Sequence, residues 1–193
     1  MTRAVLLAAL LGLTMGCTHT DDPAPTEAEM APAAGLAKRG RPTRSSPEMT
    51  AQLESSELGG GRIFLLGEIS GRHFYRVESV RAGTCFSVGD GVRLEATECA
   101  TGEFPSAQQP VLDLSVVELS TPDAARVVRL EGLAADRVDT IRLVNASGAV
   151  IATTPVVENL YALTVVPDRP VVALVARDAS GRQLARISYV GGA

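Results

Sequence analysis

Residues 126–154 read RVVRLEGLAADRVDTIRLVNASGAVIATT. Apolar runs in this stretch are separated by short polar segments that contain Asp, Asn or Gly. Short apolar, β-branched runs bounded by such turn residues are typical of β-strands. No apolar spacing of three and four residues, the mark of an amphipathic helix, interrupts them. The stretch therefore predicts consecutive antiparallel strands.

The same pattern continues on both sides and predicts seven strands between residues 111 and 190. Seven short strands spaced by turns, without an intervening helix, favour an all-β fold with an antiparallel sandwich. The candidate strands are Val111–Leu119, Arg126–Leu133, Val138–Val144, Val150–Thr153, Val156–Val165, Val171–Arg177 and Gln183–Val190.

Two turns in this region share one form. Asn145–Gly148 and Asp178–Gly181 both read Asn/Asp-Ala-Ser-Gly between apolar strands. An Asx residue followed by a Gly that accepts positive φ suits a tight hairpin. The stretch Val175–Gly181 resembles the last hairpin of bacterial immunoglobulin-like modules. This resemblance implies an Ig-like β-sandwich over residues 111–190. It lacks the Cys and Trp of antibody domains, so it transfers no functional residue.

A smaller subdomain of β-hairpins is predicted before the sandwich, over residues 62–104. Turn residues at 69–71 and 89–91 separate its paired runs, and residues 104–110 connect it to the sandwich. The predicted strands are Arg62–Glu68, Arg72–Ser79, Thr84–Val88 and Val92–Thr97.

Cys85 and Cys99 are predicted to form a disulfide within this subdomain, since paired cysteines oxidise outside the cytoplasm. A hairpin centred on Asp90 would place Cys85 opposite Glu95. Cys99 must then curl back, or the register must slip. Two separate thiols and a redox pair are the alternatives.

The first residues read as an export signal. Arg3 precedes an apolar run at 4–13, which is too short to span a bilayer core of about 30 Å. The run ends in Leu13–Cys17, which resembles the lipobox of bacterial lipoproteins, with Gly16 directly before the Cys and Thr14 in place of the more usual Leu. The resemblance implies a signal peptide at 1–16 and a lipidated Cys17. The protein would then be extracytoplasmic and anchored to the plasma or outer membrane. A buried free Cys in an apolar helix is the alternative.

Residues 17–47 are rich in Pro, Ala, Thr, Ser and charge. Such a composition buries too little apolar surface to offset the entropy of ordering, so it predicts a flexible tether. Contact of its basic cluster with anionic lipid or wall polymer is the alternative to a solvated linker; the cluster comprises Lys38, Arg39, Arg41 and Arg44. Ser46 followed by Pro47 and Glu48 is an N-terminal helix signal. A short helix is predicted over 48–58, from Pro47 to about Leu58, before the glycines at 59–61.

The composition bears on function mainly through what it excludes. A net charge of −4 argues against a nucleic-acid partner, which needs a basic surface. His73 is the one histidine outside the tether, and the chain has no Gly-x-Ser-x-Gly motif and no metal-ligand spacing. We therefore expect no catalytic residues, no metal and no cofactor.

The predicted function is a non-catalytic envelope lipoprotein, a tethered binding or spacing module. Its partners would be the membrane, through the lipid, and an envelope protein or wall polymer. The loop Ala134–Arg137 is a candidate contact. Tyr161 is either a ligand-facing edge residue or, more simply, a buried tyrosine with a backbone partner. The alternative function is a small extracytoplasmic hydrolase that uses carboxylates, or His73 with a serine.

Acyl labelling in cells tests the lipid anchor. Wild-type protein should incorporate the labelled fatty acid, and Cys17→Ala should abolish incorporation because the acceptor thiol is gone. Cys85→Ala is the matched control and should retain the label. Label on the Cys17→Ala variant, or a mature N-terminus at another residue, would contradict the anchor.

Overall fold

A computed structural model describes residues 36, 39–100, 104–106, 109–120, 126–167 and 170–189, without the side chains of 115–120 and 126–127. The helix α1 spans Pro47–Ser55. The strands are β1 (Arg41–Pro42), β2 (Gly61–Ile69), β3 (Arg72–Ser79), β4 (Gly83–Gly89), β5 (Leu94–Cys99), β6 (Val111–Ser120), β7 (Arg126–Ala134), β8 (Thr140–Val144), β9 (Val150–Pro155), β10 (Leu160–Val165), β11 (Ala173–Arg177) and β12 (Gln183–Ser188).

These strands form three antiparallel sheets. The front sheet has the order β1-β2-β3-β4-β5, the middle sheet β10-β7-β6 and the back sheet β12-β11-β8-β9. The predicted all-β class is confirmed, and all seven strands predicted beyond residue 110 are present. Strand β9 pairs with β8 in the back sheet, whereas the fourth strand of an immunoglobulin constant domain joins the sheet of the first strand.

The middle sheet is buried on both faces. Because side chains alternate along a strand, Val128 and Leu130 of β7 point to one side and Leu133 to the other. Val128 and Leu130 pack with residues of the back sheet such as Leu174. Leu133 packs with front-sheet residues such as Phe74. The hairpin subdomain and the sandwich therefore share a core and form three layers.

The buried Tyr161 hydroxyl leaves no room for a side chain at Gly132 of the middle sheet. Tyr161 lies on β10 opposite Gly132 of β7, and its hydroxyl donates to the carbonyl of Leu112 at 3.3 Å. A Cβ at position 132 would lie 2.2 Å from that hydroxyl and 2.3 Å from the Leu112 carbonyl oxygen. Tyr161 is therefore the buried tyrosine with a backbone partner, and the ligand-facing interpretation is wrong.

The predicted disulfide joins Cys85 to Cys99. The two residues lie directly opposite each other on β4 and β5, because the register shifts between Val88 and Gly89. The expected centre at Asp90 was wrong, since the hairpin loop runs from 90 to 93. Asp90 closes that loop by accepting the backbone N–H groups of Val92 and Arg93 at 2.8 and 2.7 Å.

The two Asn/Asp-Ala-Ser-Gly turns are both present. Asn145 Oδ1 accepts the backbone N–H groups of Ser147 and Ala149, each at 3.0 Å. Asp178 Oδ1 makes the equivalent bonds to the N–H groups at 180 and 182. The glycine of each turn has a positive φ, 80° at position 148 and 86° at position 181. Glycine adopts this conformation without the steric cost that a side chain would bring.

Part of the predicted tether packs on the front sheet instead of lying free of the fold. Helix α1 starts as expected, with Ser46 Oγ accepting the N–H of Met49 at 2.9 Å, but it ends at Ser55 instead of 58. Within the predicted tether of 17–47, β1 pairs with β2 and Leu36 is buried against the front sheet.

Residues 1–35, with Cys17, lie outside the described residues. The described part of the chain contains no helix that is long and apolar enough to cross a bilayer.

A charge network joins the front and middle sheets. Glu131 of β7 is 1% exposed and accepts from Arg72 Nε at 2.6 Å. Arg72 also makes two bonds to Glu95 of β5, at 2.9 and 2.7 Å, which lower the pKa of Glu95. Arg129 donates to the same Glu95 at 2.9 Å. The buried Glu131 carboxylate is thus paired, as a buried charge must be.

Removing Arg72 should destabilise the protein strongly. Arg72→Met leaves Glu131 buried with only Arg129 at 3.6 Å, and an uncompensated buried charge costs about 3–5 kcal/mol. Arg62→Met is the control, since Arg62 is exposed where it pairs with Glu78, and such pairs contribute about 0–1 kcal/mol. Urea unfolding measures both. Equal losses in the two variants would contradict the role given to this network.

Candidate functional site

A cleft of about 750 Å³ opens between the front sheet and one end of the other two layers. This volume is within the usual range for ligand pockets, roughly 300–1,000 Å³. The lining comes from four parts of the chain: Leu36 with residues 39–41, residues 65–68 of β2, residues 135, 136 and 138 after β7, and residues 156, 158 and 159 before β10. Residues 39–42 are called the strap below.

The strap is held against the fold at three points. Arg39 donates through Nη1 to Asn159 Oδ1 at 2.5 Å, a bond that crosses the cleft. The carbonyl oxygen of Arg39 accepts from Arg76 Nε at 3.0 Å. Arg41 pairs with Leu65 across β1 and β2. The strap therefore forms a wall of the cleft fixed by both backbone and side-chain bonds.

The opposite wall is built on a tight turn. Val157 and Leu160 exchange backbone hydrogen bonds, both at 2.9 Å, so only Glu158 and Asn159 form the loop. Both have positive φ, 51° and 71°, as a type I′ turn requires. Glu158 adopts this conformation without being Gly or Asn, and such strain is concentrated at functional sites.

Asn159 is the central polar group of the cleft. Its side chain is buried, and Nδ2 donates to the carbonyl of Ala134 at 2.9 Å and to Asp136 Oδ1 at 2.7 Å. Together with the bond from Arg39, these contacts use both amide donors and the amide oxygen. Asn159 therefore connects the strap to the loop after β7.

The cleft presents both signs of charge. Arg39 and Arg41 contribute guanidinium groups from the strap, whereas Glu68, Asp136 and Glu158 contribute carboxylates from the other walls. All five residues are exposed. Leu66 and Val156 add partly buried apolar surface. The arrangement suits a ligand that carries an ammonium and a carboxylate a short distance apart.

The predicted contact loop Ala134–Arg137 lies at this site. Its residues Ala135 and Asp136 line the cleft, while Arg137 lines a second cavity of about 710 Å³ that also includes Asp136. The loop thus separates two adjoining cavities.

Arg39 and Asn159 were missed by the sequence interpretation. Arg39 fell in the predicted tether, and Asn159 inside the predicted strand Val156–Val165. One signal was available for the turn: Glu158 and Asn159 are two consecutive polar residues that break the alternation of an otherwise apolar strand.

His73 makes no hydrogen bond to a serine hydroxyl in the described part of the chain. Its Nε2 is 3.4 Å from a carboxylate oxygen of Glu68, its ring stacks on Tyr75 with centroids 6.3 Å apart, and its buried Nδ1 has no hydrogen-bond partner there. Among the described residues, no group of three or more His, Cys, Asp or Glu side chains could hold a metal ion.

A second carboxylate with unusual surroundings lies between the middle and back sheets. Asp113 of β6 accepts from the Tyr189 hydroxyl at 2.8 Å, and its other oxygen is buried without a partner. Burial raises the pKa of Asp113 to about 6, against the opposing hydrogen bond from Tyr189. This group lies outside the cleft.

No protein-family model, curated protein or solved structure matches the chain.

Stability should fall as pH rises from about 4 to about 6. In this window folded Asp113 retains a proton that the unfolded chain releases, since the folded pKa lies above the ordinary value of 3.8. The buried carboxylate then costs on the order of 3 kcal/mol at pH 7. Asp113→Asn should remove this slope and stabilise the protein at pH 7, whereas the exposed Asp139→Asn should not. Urea unfolding at several pH values is the measurement, and an unchanged slope in Asp113→Asn would contradict the assignment.

Proposed function

We propose that the chain is a lipid-anchored envelope protein whose folded part binds a ligand in the cleft without catalysing a reaction. The ligand is a short peptide-like segment that carries both an ammonium and a carboxylate group, as part of an envelope protein or wall polymer. The single observation that carries this proposal is the mixed-charge cleft between the strap and the turn at Glu158 and Asn159.

The geometry of the cleft supports binding. Its walls come from four chain segments that are connected by hydrogen bonds, so the site is formed before a ligand arrives. Preformed sites avoid the entropy of ordering loops on binding. The strained turn at Glu158 and the fully bonded Asn159 hold the carboxylate wall at a fixed distance from Arg39.

The position of the cleft on the chain supports a tethered module. Leu36 is buried at the edge of the cleft, and the chain before it leads to the proposed anchor at Cys17. A ligand in the cleft would therefore be held where the tether joins the fold.

We also propose that residues 111–190 belong to the Ig-like class, because their seven strands form two facing sheets of three and four strands.

The alternative function, a small hydrolase, has one observation in its favour. Glu68 both lines the cleft and lies 3.4 Å from His73, so a histidine oriented by a carboxylate is near the cleft wall. A hydrolase of the serine type would further need a nucleophile within about 3.2 Å of the histidine.

NMR titration of the full chain with short peptides distinguishes the two functions. Tripeptides with both ends free should perturb the amides that line the cleft. Blocking either end, by acetylation or amidation, should weaken binding about tenfold, since a hydrogen bond to a charged group contributes about 1.5–3 kcal/mol. Arg41→Gln should weaken binding of peptides with a free carboxylate, and the remote Arg81→Gln should not.

The peptides recovered after titration decide between binding and turnover. Intact peptide together with cleft-specific shifts supports the proposal. Cleaved peptide, with cleavage lost in His73→Ala, would establish the hydrolase instead. Two results would contradict binding in the cleft: no chemical-shift changes, or changes that spread over the whole surface and stay the same in Arg41→Gln.

A further inference from the structure

The strands of the back sheet carry only positive charge, although the protein as a whole is acidic. The four strands β8, β9, β11 and β12 contain no Asp or Glu, although the whole chain has 22 acidic and 18 basic residues. They contain three arginines, which are called the arginine triad below: Arg142, Arg177 and Arg186.

The register brings the triad together on one face. Ile141, Leu143 and Leu174 point into the core between the middle and back sheets, so the alternate positions point outward. Arg186 and Arg142 lie on either side of Val175, in one row across three strands. Their Cα atoms are thus about 10 Å apart, two strand spacings. Arg177 lies two residues farther along β11.

No described carboxylate neutralises the triad. Arg177 donates to the carbonyl oxygen of Gly181, which is neutral. The Nε atoms of Arg142 and Arg177 are buried without a hydrogen-bond partner within the described residues. Three guanidinium groups on one sheet face therefore retain their charge for an external anion.

One exposed apolar side chain lies beside the arginines. Val150 of β9 is 51% exposed and pairs with Val144 of β8, whereas Val144, Ala173 and Val175 form a buried cluster on the outer side of the sheet. Arginine combines an aliphatic stem with a charged end, which suits a surface that is polar outside and apolar beneath. A phosphate polymer would use the charges alone, whereas the boundary between headgroups and acyl chains also accommodates the arginine stems and the exposed Val150.

We propose that the back sheet docks on the surface of an anionic lipid bilayer through the arginine triad. The proposal rests on the lipid anchor proposed above, because the anchor keeps the fold close to the membrane. Cys17 lies 19 positions before Leu36, a separation that the proposed flexible tether would span with about 24 Å on average and with at most about 65 Å when extended. Contacts that are weak in solution act at a high effective concentration over such distances.

A tryptophan reporter tests the docking, because the chain contains no Trp. Thr153→Trp places the reporter on β9 opposite Arg142, and Val80→Trp places a control reporter in the turn between β3 and β4, at a position that is 76% exposed. Both are made in the full chain with Cys17→Ser, so the result does not depend on lipidation. Failure of the anchor is judged separately by acyl labelling.

The probes are vesicles of phosphatidylcholine alone and vesicles that also contain phosphatidylglycerol. The emission of the reporter at 153 should shift to the blue only with phosphatidylglycerol, and salt should reverse the shift. The reporter at 80 should not respond. Gln substitution of the whole triad should weaken binding roughly 100-fold, about fivefold for each arginine removed.

Matched variants separate charge from folding. Lys at all three triad positions keeps the charge and should keep binding. Gln at three arginines on the strands and connecting loops of the front sheet changes the net charge equally and should leave binding unchanged; these are Arg62, Arg81 and Arg93. Thermal unfolding confirms that each variant is folded.

Three outcomes would overturn the proposal. The reporter at 153 could respond equally to both kinds of vesicle, or the Gln triad could bind as well as the wild-type triad. In the third outcome, soluble polyphosphate shifts the reporter while anionic vesicles do not, which would assign the face to a polymer instead of a bilayer.

Discussion

Burial of both faces of the middle sheet is the constraint on which the rest of the structure depends. A sheet of three strands that is covered on one side only would expose Leu112, Leu133 and Leu160, which pack under the front sheet. The cost of exposing one such side chain is about 1.5–3 kcal/mol. The front sheet is therefore a required layer of the fold. Glu131, a charge that this arrangement buries, is compensated by Arg72 from the covering layer, so the same contact joins the layers and fixes their relative position.

The cleft and the basic face both follow from the three layers. The cleft lies where the strap, the end of β2 and the connections of β7 and β10 meet, at the edge of the contact between the front sheet and the other two. The basic face belongs to the back sheet, whose outer side no other described sheet covers. Ligand and membrane would thus contact opposite parts of one stack. Leu36, the described residue nearest the proposed anchor, lies beside the cleft and not on the back sheet.

Local patterns in the sequence predicted the strands well, because turn chemistry and apolar alternation are local. The seven strands after residue 110, the Cys85–Cys99 bridge and the start of α1 at Pro47 were all obtained in this way. Features that depend on distant residues were not. Leu36 is buried with Phe74, 38 positions later in the chain, and Asn159 gains its role only when Arg39 reaches it. The spacing of the cysteines required either a register slip or a curled strand end, and the structure shows the slip, between Val88 and Gly89. Charge on the back face was visible only once the pairing of β8, β11 and β12 was known.

The central claim is that the hairpin sheet and the sandwich are one cooperative structure, and calorimetry of the full chain tests it most directly. Because the layers share a core and the Arg72–Glu131 pair, a single unfolding transition is predicted, with the calorimetric enthalpy equal to the van't Hoff enthalpy. Two separable transitions, one of them abolished when the Cys85–Cys99 bridge is reduced while the other keeps its midpoint, would contradict the claim.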